Sequence, residues 1–144
     1  MINTETRFAI LDVISRYSYA YDSRDTDGFA NLFIEDAVWE YYFSDQEKPE
    51  IKLNSREEIR EWAANRLVVR EGKLNSRHHQ TNTIFSNCSP DHAETRTMIL
   101  ITHHEVGDPY PIATTSGEYH DIWKKTTDGW KFAKRKLYTD KFVS

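Results

Sequence analysis

The sequence predicts an α+β fold in which N-terminal helices pack on a strongly bent, mostly antiparallel sheet that encloses a pocket. Three observations lead to this prediction. Apolar residues recur at helical spacing through much of the first half of the chain, and the second half alternates with the period of a strand. The 144 residues include 38% hydrophobic and 13% aromatic residues, which suffice for one core. Because helices that precede a run of strands are typical of α+β domains, we expect a single domain over residues 1–144.

Two helices are predicted near the N-terminus. From Thr4 to about Asp22, apolar residues recur at helical spacing with polar residues on the opposite side, which indicates an amphipathic helix. At about 100° per residue, Asp22 lies at the edge of the apolar stripe, between the core and the expected opening of the pocket. Asp25 directly precedes TDGFANLF, in which Phe29 and Phe33 keep helical spacing. We therefore interpret Asp25 as the N-cap of a second, short helix.

A strand and a third helix are predicted next. AVWEYYF, from Ala37 to Phe43, is rich in aromatic and branched residues, which favours a strand. Ser55 and Glu58 have the spacing of a capping box at the start of a helix. The apolar side of that helix is supplied by Ile59, Trp62 and Ala63.

The second half is predicted to contain long antiparallel strands joined by hairpins. NCSPD and TTDG have the composition of turns and separate segments of alternating polarity. The predicted strands are Arg77 to Ser86, Ala93 to Glu105, Ile112 to Trp123 and Trp130 to Tyr138. A sheet of such strands that curls against the helices encloses a pocket on its inner face.

Composition argues against several classes of partner. The formal net charge of −4, with no basic stripe, makes nucleic acid an unexpected partner. The lone Cys88 has no companion for an internal disulfide, which suits a reducing compartment. The N-terminus lacks a basic region followed by an apolar run, and no eighteen apolar residues occur together. We therefore expect a cytoplasmic protein that does not associate with membranes.

Two histidine pairs lie on predicted strands, in RHHQTN and ILITHHE. Successive strand residues point to opposite faces, so only one member of each pair can enter the pocket. In the later strand, the face that ends at His103 carries smaller and less charged residues than the face that ends at His104. We therefore predict that His103 faces inward. For the earlier pair, the alternation does not distinguish His78 from His79.

The candidate polar residues match the requirements of proton abstraction next to a carbonyl. Such a reaction needs an imidazole base, a carboxylate that orients it, phenols that stabilise an oxyanion and a second imidazole as acid. The residues that could fill these roles are Asp22, Tyr21, Tyr41, His103 and one of His78 and His79. A neutral histidine is suited to this chemistry near pH 7.

Four segments resemble the SnoaL-like branch of the nuclear transport factor 2-like superfamily. They are YDSRD at Tyr21 to Asp25, DAVWEYY at Asp36 to Tyr42, the H-x-x-x-N pattern at His78 to Asn82, and IWKKTTDGWKF at Ile122 to Phe132. The resemblance spans nearly the whole chain and implies a cone-shaped α+β barrel. Its motifs are nearest to those of scytalone dehydratase, with bile acid 7α-dehydratase and hexachlorocyclohexane dehydrochlorinase as further relatives.

The resemblance implies catalytic roles for five residues. Tyr21 and Asp22 match the tyrosine and aspartate of the dehydratase YDS motif, and Tyr41 matches the tyrosine on its first strand. His78 matches the strand histidine that pairs with that aspartate, which decides the earlier histidine pair. His103 matches the second histidine of the dehydratase, in agreement with the choice made from the strand faces.

The resemblance also implies positions that contact the substrate. Arg135 lines up with an arginine that the dehydrochlorinase uses near its leaving group. Tyr119 stands where the dehydratase has a substrate-binding asparagine, and Tyr17 stands where the dehydrochlorinase has an active-site lysine. Trp39, which shares a predicted strand face with Tyr41, joins them as an expected substrate-binding residue. The two departures leave the substrate open.

The function implied is that of a cofactor-independent lyase that removes water β to a carbonyl. The expected partner is a small apolar or aromatic substrate, with no cofactor or metal, in a homotrimer or a dimer formed through the outer sheet face. One alternative is a non-catalytic binder or an accessory subunit similar to the small subunit of a ring-hydroxylating dioxygenase. Another is a metal triad of Asp22, His78 and His103. We place the triad lower, because an acid/base set explains these residues and the family is not generally metal-dependent.

Overall fold

The computed structural model describes residues 2–43 and 45–140. The helices within this part of the chain are α1 (Thr4–Asp22), α2 (Thr26–Ala30) and α3 (Arg56–Arg70). The strands are β1 (Phe33–Tyr42), β2 (Ile51–Leu53), β3 (Leu74–Ser86), β4 (His92–Glu105), β5 (Ile112–Thr126) and β6 (Gly129–Thr139).

The strands form one six-stranded sheet in the order β2-β1-β6-β5-β4-β3. All neighbours are antiparallel except β1 and β6, which run parallel. The sheet is curved and does not close, and α1 and α3 pack on it through β3, β6 and β1. The predicted α+β fold, with helices against a bent and mostly antiparallel sheet, is therefore confirmed.

An aromatic core joins α1 to the inner face of the sheet. The ring of Tyr17 packs against Phe29, Phe33, Tyr119 and Phe132, with centroid distances between 4.8 and 6.2 Å. These contacts draw on α1, α2, β1, β5 and β6, so the middle of α1 is fixed against the sheet. The C-terminal part of α1 also lies over β3, to which Ser18 and Asp22 are hydrogen-bonded.

Capping residues set the bounds of the helices close to where the sequence placed them. Asn3 accepts a hydrogen bond from the N–H of Thr6 at 2.8 Å, and α1 then runs to Asp22 as predicted. Asp25 accepts from the N–H of Gly28 at 2.9 Å, which confirms its role as an N-cap.

The capping box of α3 is present in altered form. Ser55 Oγ accepts from the N–H of Glu58 at 3.1 Å, as predicted. The Glu58 carboxylate accepts from the N–H of Asn54 at 2.6 Å, one residue before the N-cap whose N–H a capping box normally uses. The predicted start of α3 is therefore confirmed.

The end of α2 and the start of β1 differ from the prediction. The helical spacing of Phe29 and Phe33 suggested a helix through Phe33, but α2 ends at Ala30 and β1 already begins at Phe33. Phe33 pairs with Phe132 of β6, and the N–H of Phe132 donates to the Leu32 carbonyl at 2.9 Å. A short apolar segment cannot distinguish the two structures by its period, and here pairing with a distant strand decides.

Two further strand features were not predicted. The three-residue strand β2 pairs with β1, with Trp39 opposite Leu53, and is too short to show alternation. β3 starts at Leu74, before the predicted Arg77, and its register shifts between Thr81 and Ile84. Asn82 lies in this irregularity with a φ of 57°, a conformation that asparagine adopts more readily than most residues.

Candidate active site

A cavity of about 170 Å³ lies between α1, α3 and the inner face of the sheet. Aromatic side chains form much of its wall, and cationic or titratable groups enter it from α3, β3 and β4. The lining residues are Tyr17, Tyr21, Trp39, Tyr41, Ile51, Trp62, Arg66, Arg70, His78, Ile101, His103, Thr115, Tyr119, Leu137 and Thr139. Of the sequence-predicted site residues, seven line this cavity, and Asp22 and Arg135 do not.

Asp22 lies behind His78 and holds its ring. Asp22 Oδ1 is 2.6 Å from His78 Nδ1 and accepts a hydrogen bond from Ser76 Oγ at 2.9 Å. Asp22 Oδ2 accepts from the backbone N–H of His78 at 2.9 Å. The side chains of Asp22 and His78 are only 8% and 9% exposed. Because the carboxylate accepts from Nδ1–H, His78 Nε2 carries the lone pair and is the ring nitrogen available to a reacting group.

The contacts of Asp22 favour its ionised form. Burial raises the pKa of Asp22, but the hydrogen bonds and charge of His78, its backbone amide and the Ser76 hydroxyl together outweigh burial and lower the pKa below 3.8. The carboxylate is therefore ionised at neutral pH and can stabilise a protonated His78 ring.

We expect Asp22→Asn to lower the free energy of unfolding by about 1–3 kcal/mol at pH 7, since it removes charge-assisted hydrogen bonds from an enclosed site. The pKa of Asp22 is lower in the folded protein than in the unfolded chain, where it is 3.8. The carboxylate therefore stabilises the fold fully at pH values above 3.8, and this stabilisation is lost as the pH falls through the folded-state pKa. The difference between wild type and variant should therefore shrink below about pH 4. Urea unfolding at several pH values measures it.

Asp12→Asn provides the control for this prediction. Asp12 forms an exposed ion pair with Arg16 on the same helix, at 2.5 Å. Exposed pairs contribute roughly 0–1 kcal/mol, so the change should be small at every pH. An Asp22→Asn variant as stable as Asp12→Asn at pH 7 would contradict the prediction.

His103 enters the cavity from the strand next to His78. In the pairing of β3 with β4, His78 lies opposite Ile101 and Ser76 lies opposite His103. The two histidines are therefore diagonal neighbours on one face of the sheet, and the backbone positions of such neighbours are about 7–8 Å apart. The inward orientation of His103, predicted from the strand faces, is confirmed. Burial, the Arg70 charge and the His78 charge lower the pKa of His103 below 6.5, while Glu105 opposes them. His103 is therefore neutral at pH 7, and its Nδ1 lies 2.9 Å from Thr114 Oγ1.

Two tyrosines line the same cavity as the histidines. The Tyr21 ring meets the His78 ring edge-on, at 5.0 Å between centroids. Burial raises the pKa of Tyr21, although the charges of Arg66 and Arg70 oppose the shift, so its hydroxyl stays protonated. Tyr41 lines the same cavity from β1 and is half-buried. Both phenols can donate a hydrogen bond to a ligand.

Arg135 lies behind the cavity wall, which corrects the expectation that it contacts the substrate. It is fully buried, and its guanidinium carbon is 3.5 Å from the centroid of the Tyr119 ring and 4.1 Å from that of Tyr17. Its Nε is 3.0 Å from Asp121 Oδ1, and it also donates to Gln80. Arg135 extends from β6 into the core, and the rings of Tyr17 and Tyr119 line the cavity in its place.

The other predicted binding residues do line the cavity. Tyr17 and Tyr119 are buried at the boundary between the cavity and Arg135, and Trp39 Nε1 donates to the Tyr17 hydroxyl at 3.3 Å. Burial raises the pKa of both tyrosines, so both remain protonated. These residues form a wall that is aromatic but still offers hydroxyl groups.

The sequence analysis missed the contribution of α3. Trp62, Arg66 and Arg70 lie four residues apart on one stripe of the helix, and all three line the cavity. Trp62 packs against Trp39 at 4.7 Å between ring centroids, and the Arg66 guanidinium lies 5.4 Å from the Trp62 centroid. The spacing from Trp62 was the available signal, but arginine at the border of an amphipathic helix usually faces solvent.

The described residues show neither a metal-ligand cluster nor a membrane-spanning helix. Across residues 2–43 and 45–140, no three histidine, cysteine, aspartate or glutamate side chains are grouped so that they could hold a metal ion. None of the described helices combines the length and the apolar character needed to cross a membrane.

A family model described as a SnoaL-like domain matches residues 3–136. The chain belongs to the SnoaL-like family. This confirms the resemblance inferred from the YDSRD, DAVWEYY and H-x-x-x-N segments. No curated protein matches the chain.

Solved structures support the SnoaL-like fold. ActVI-ORFA from Streptomyces coelicolor has a TM-score of 0.83 at 19% identity, with 99% of this chain and 100% of that chain covered. A protein from Novosphingobium aromaticivorans that is provisionally described as a scytalone dehydratase has a TM-score of 0.77 at 24% identity, covering 99% and 94%. The β subunit of a provisionally described aromatic-ring-hydroxylating dioxygenase from the same organism has a TM-score of 0.79 at 15% identity, covering 94% and 89%. At these identities the similarity establishes the fold alone.

Proposed function

We propose that this SnoaL-like protein is a cofactor-independent carbon–oxygen lyase that removes water β to a carbonyl of a small cyclic or polycyclic substrate. The observation that carries the proposal is the His78 ring, held by Asp22 at 2.6 Å and bordering an aromatic cavity. An oriented imidazole at the edge of an aromatic cavity is suited to general acid/base catalysis.

The first step is removal of the α proton. His78 Nε2 takes the proton, and the C–H electron pair forms the carbon–carbon double bond of an enolate. The ring then carries a positive charge at a site where the Asp22 carboxylate lies 2.6 Å from Nδ1. That ion pair stabilises the protonated ring, and the two other hydrogen bonds to Asp22 keep the carboxylate in place.

Phenols stabilise the enolate oxygen. Tyr21 and Tyr41 line the cavity, and a hydroxyl from either can donate to the oxyanion directly or through a water molecule. Donors that are fixed before the reaction stabilise developing charge without the cost of reorienting solvent. The Tyr21 ring packs edge-on against the His78 ring, so Tyr21 borders the same part of the cavity as the base.

The second step expels the β hydroxyl as water. The enolate electrons re-form the carbonyl and place the double bond between the α and β carbons as the C–O bond breaks. Protonated His78 returns its proton to the departing oxygen, so the enzyme ends in its starting state. His103 is neutral at pH 7 and can donate a hydrogen bond that positions this hydroxyl. The balance is one substrate to one conjugated enone and one water, with no oxidant or reductant.

Turnover of β-hydroxy ketones tests the proposal. Cyclic and bicyclic β-hydroxy ketones are incubated with the protein, and the ultraviolet absorbance of the conjugated enone is followed. We expect enone formation without added metal or cofactor, slowed when the α proton is replaced by deuterium. Binding without turnover, unchanged in Asp22→Asn, would instead favour the non-catalytic binder or accessory subunit.

A homo-oligomer accompanies this proposal, as a trimer or a dimer formed through the outer sheet face. Apolar side chains are exposed on β3, β4 and β5 and support it, namely Ile84, Met98, Leu100 and Ile122. Burial of such a patch against a second copy would remove apolar surface from water. A monomeric mass by light scattering would contradict it.

A further inference from the structure

Two arginines of α3 face the cavity without an acidic partner. Arg66 lies at the exposed mouth, and Arg70 is half-buried one helical turn further on. The ion pairs of α3 lie at Arg60, with Asp27 and Glu57. Within residues 2–43 and 45–140, neither Arg66 nor Arg70 forms an ion pair with an aspartate or glutamate.

The charge of the cavity wall is one-sided. Two guanidinium groups and two imidazoles line it, and none of the described aspartate or glutamate residues does. Asp22 lies behind His78 and is already used by three hydrogen bonds. Burial and the neighbouring charge of Arg66 lower the pKa of Arg70. Glu105 opposes this shift without forming an ion pair with Arg70. The arginines therefore raise the local positive potential, and nothing described in the wall neutralises it.

The internal contacts of these arginines do not account for their charge. The Arg66 guanidinium stacks over Trp62 and interacts with the Tyr21 hydroxyl, and both contacts leave its charge uncompensated. Arg70 uses its backbone carbonyl to accept from Arg24, at 3.4 Å, and no described residue accepts from its guanidinium. Two like charges one helical turn apart, one of them half-buried, are unfavourable unless an anion joins them.

We propose that Arg66 and Arg70 form an anion-binding subsite for a carboxylate attached to the aromatic or polycyclic frame of the ligand. Guanidinium groups bind carboxylates through paired N–H donors, and the aromatic wall accepts the ring system. The anion-binding subsite itself does not depend on the lyase proposal. Only the identification of its ligand as the substrate rests on the proposed function. The ligand is then an acidic β-hydroxy ketone, with its anionic group on α3 and its reacting carbons at His78.

Binding of an acid and its neutral isostere tests the subsite. The probes are 2-naphthoate and 2-naphthamide, titrated into the protein and followed by calorimetry. We expect the wild type to bind the carboxylate at least about tenfold more tightly than the amide, as charge-assisted hydrogen bonds require. This preference should weaken as salt concentration rises.

Variants assign the preference to the arginines. Arg70→Gln should weaken 2-naphthoate binding about tenfold with little change for the amide, and Arg66→Gln should act in the same direction. Arg70→Lys retains the charge and should restore part of the preference. Arg56→Gln is the matched control, because Arg56 lies on the same helix about 21 Å from Arg70 along the helix axis. It should change the binding of neither probe. Arg66 is exposed, so its variant keeps the test valid if Arg70→Gln does not fold.

The outcomes separate this inference from the proposed function. His78→Asn should retain the preference for the carboxylate, because it alters the base and not the subsite. Equal binding of acid and amide by the wild type, or an unchanged preference in both glutamine variants, would overturn the subsite and leave the lyase proposal standing. Loss of the preference in these variants, with no turnover of carboxylated β-hydroxy ketones, would support the subsite and count against the lyase.

Discussion

Replacement of His78 by alanine is expected to slow turnover of a β-hydroxy ketone by about 10²- to 10⁴-fold. The variant removes the only group at the cavity that combines a free ring nitrogen with a carboxylate partner at 2.6 Å, among the described residues. KM should change little, because aromatic side chains supply much of the cavity wall and remain in the variant. Steady-state rates of enone formation measure both parameters.

His79→Ala is the matched control for this prediction. His79 is the next residue of β3 and is exposed on the opposite face of the sheet. Its removal should leave the rate unchanged, while circular dichroism verifies that both variants are folded. A His78→Ala enzyme that keeps the wild-type rate on an identified substrate would show that His78 is not the base.

Replacement of Arg135 by methionine is expected to lower the free energy of unfolding by about 3–5 kcal/mol, since removal of one partner leaves a buried charge uncompensated. Arg135 and Asp121 have fully buried side chains, with 3.0 Å between Arg135 Nε and Asp121 Oδ1. The variant also removes the cation from the faces of Tyr17 and Tyr119. Urea or guanidinium unfolding measures the loss.

The loss should depend on pH in a defined direction. Burial raises the pKa of Asp121 to about 6 even though the Arg135 charge opposes the shift. Without Arg135 the folded-state pKa rises further, so the carboxyl binds its proton more tightly than the unfolded chain does. Tighter proton binding by Asp121 stabilises the folded state fully at pH values below 3.8, the pKa in the unfolded chain. This stabilisation is lost as the pH rises through the folded-state pKa. Arg135→Met should therefore cost less at pH 5 than at pH 8.

A double variant and a surface variant serve as controls for Arg135→Met. Arg135→Met combined with Asp121→Leu should recover part of the loss, because no buried charge then remains unpaired. Arg16→Met removes an exposed ion pair with Asp12 and should cost no more than about 1 kcal/mol. A loss for Arg135→Met that is no greater than that for Arg16→Met would refute the structural role assigned to the buried pair.

Local features of the sequence predicted the elements that carry most of the candidate site. The bounds of α1 followed from helical spacing, and the N-caps at Asp25 and Ser55 followed from side chains that bond three residues ahead. The inward face of β4, with His103, followed from alternation. The start of β1 at Phe33 could not be predicted from the pattern, because such a short apolar segment can be buried equally well in a helix or in a strand.

The placement of the arginines was beyond local reasoning. Arg135 was expected at the cavity because it lines up with an arginine of the dehydrochlorinase, yet Tyr17 from α1 and Tyr119 from β5 lie over its guanidinium and line the cavity in its place. Arg66 and Arg70 were not predicted as site residues, yet the way α3 packs on the sheet brings both to the cavity. Both outcomes depend on how separate elements pack.

The sequence by itself determined the α+β class, the bounds of α1, the caps and the inward face of β4, because neighbours within a few residues decide spacing, capping and alternation. Through its motifs it also determined the family and the choice of His78. The resemblance implied that Asp22 pairs with His78, and the tertiary structure decided the geometry of that pair, 2.6 Å between residues 56 positions apart. Only the tertiary structure decided that Arg135 is shielded and that two arginines of α3 border the cavity. Those features depend on strand register and helix packing, which are properties of the whole chain.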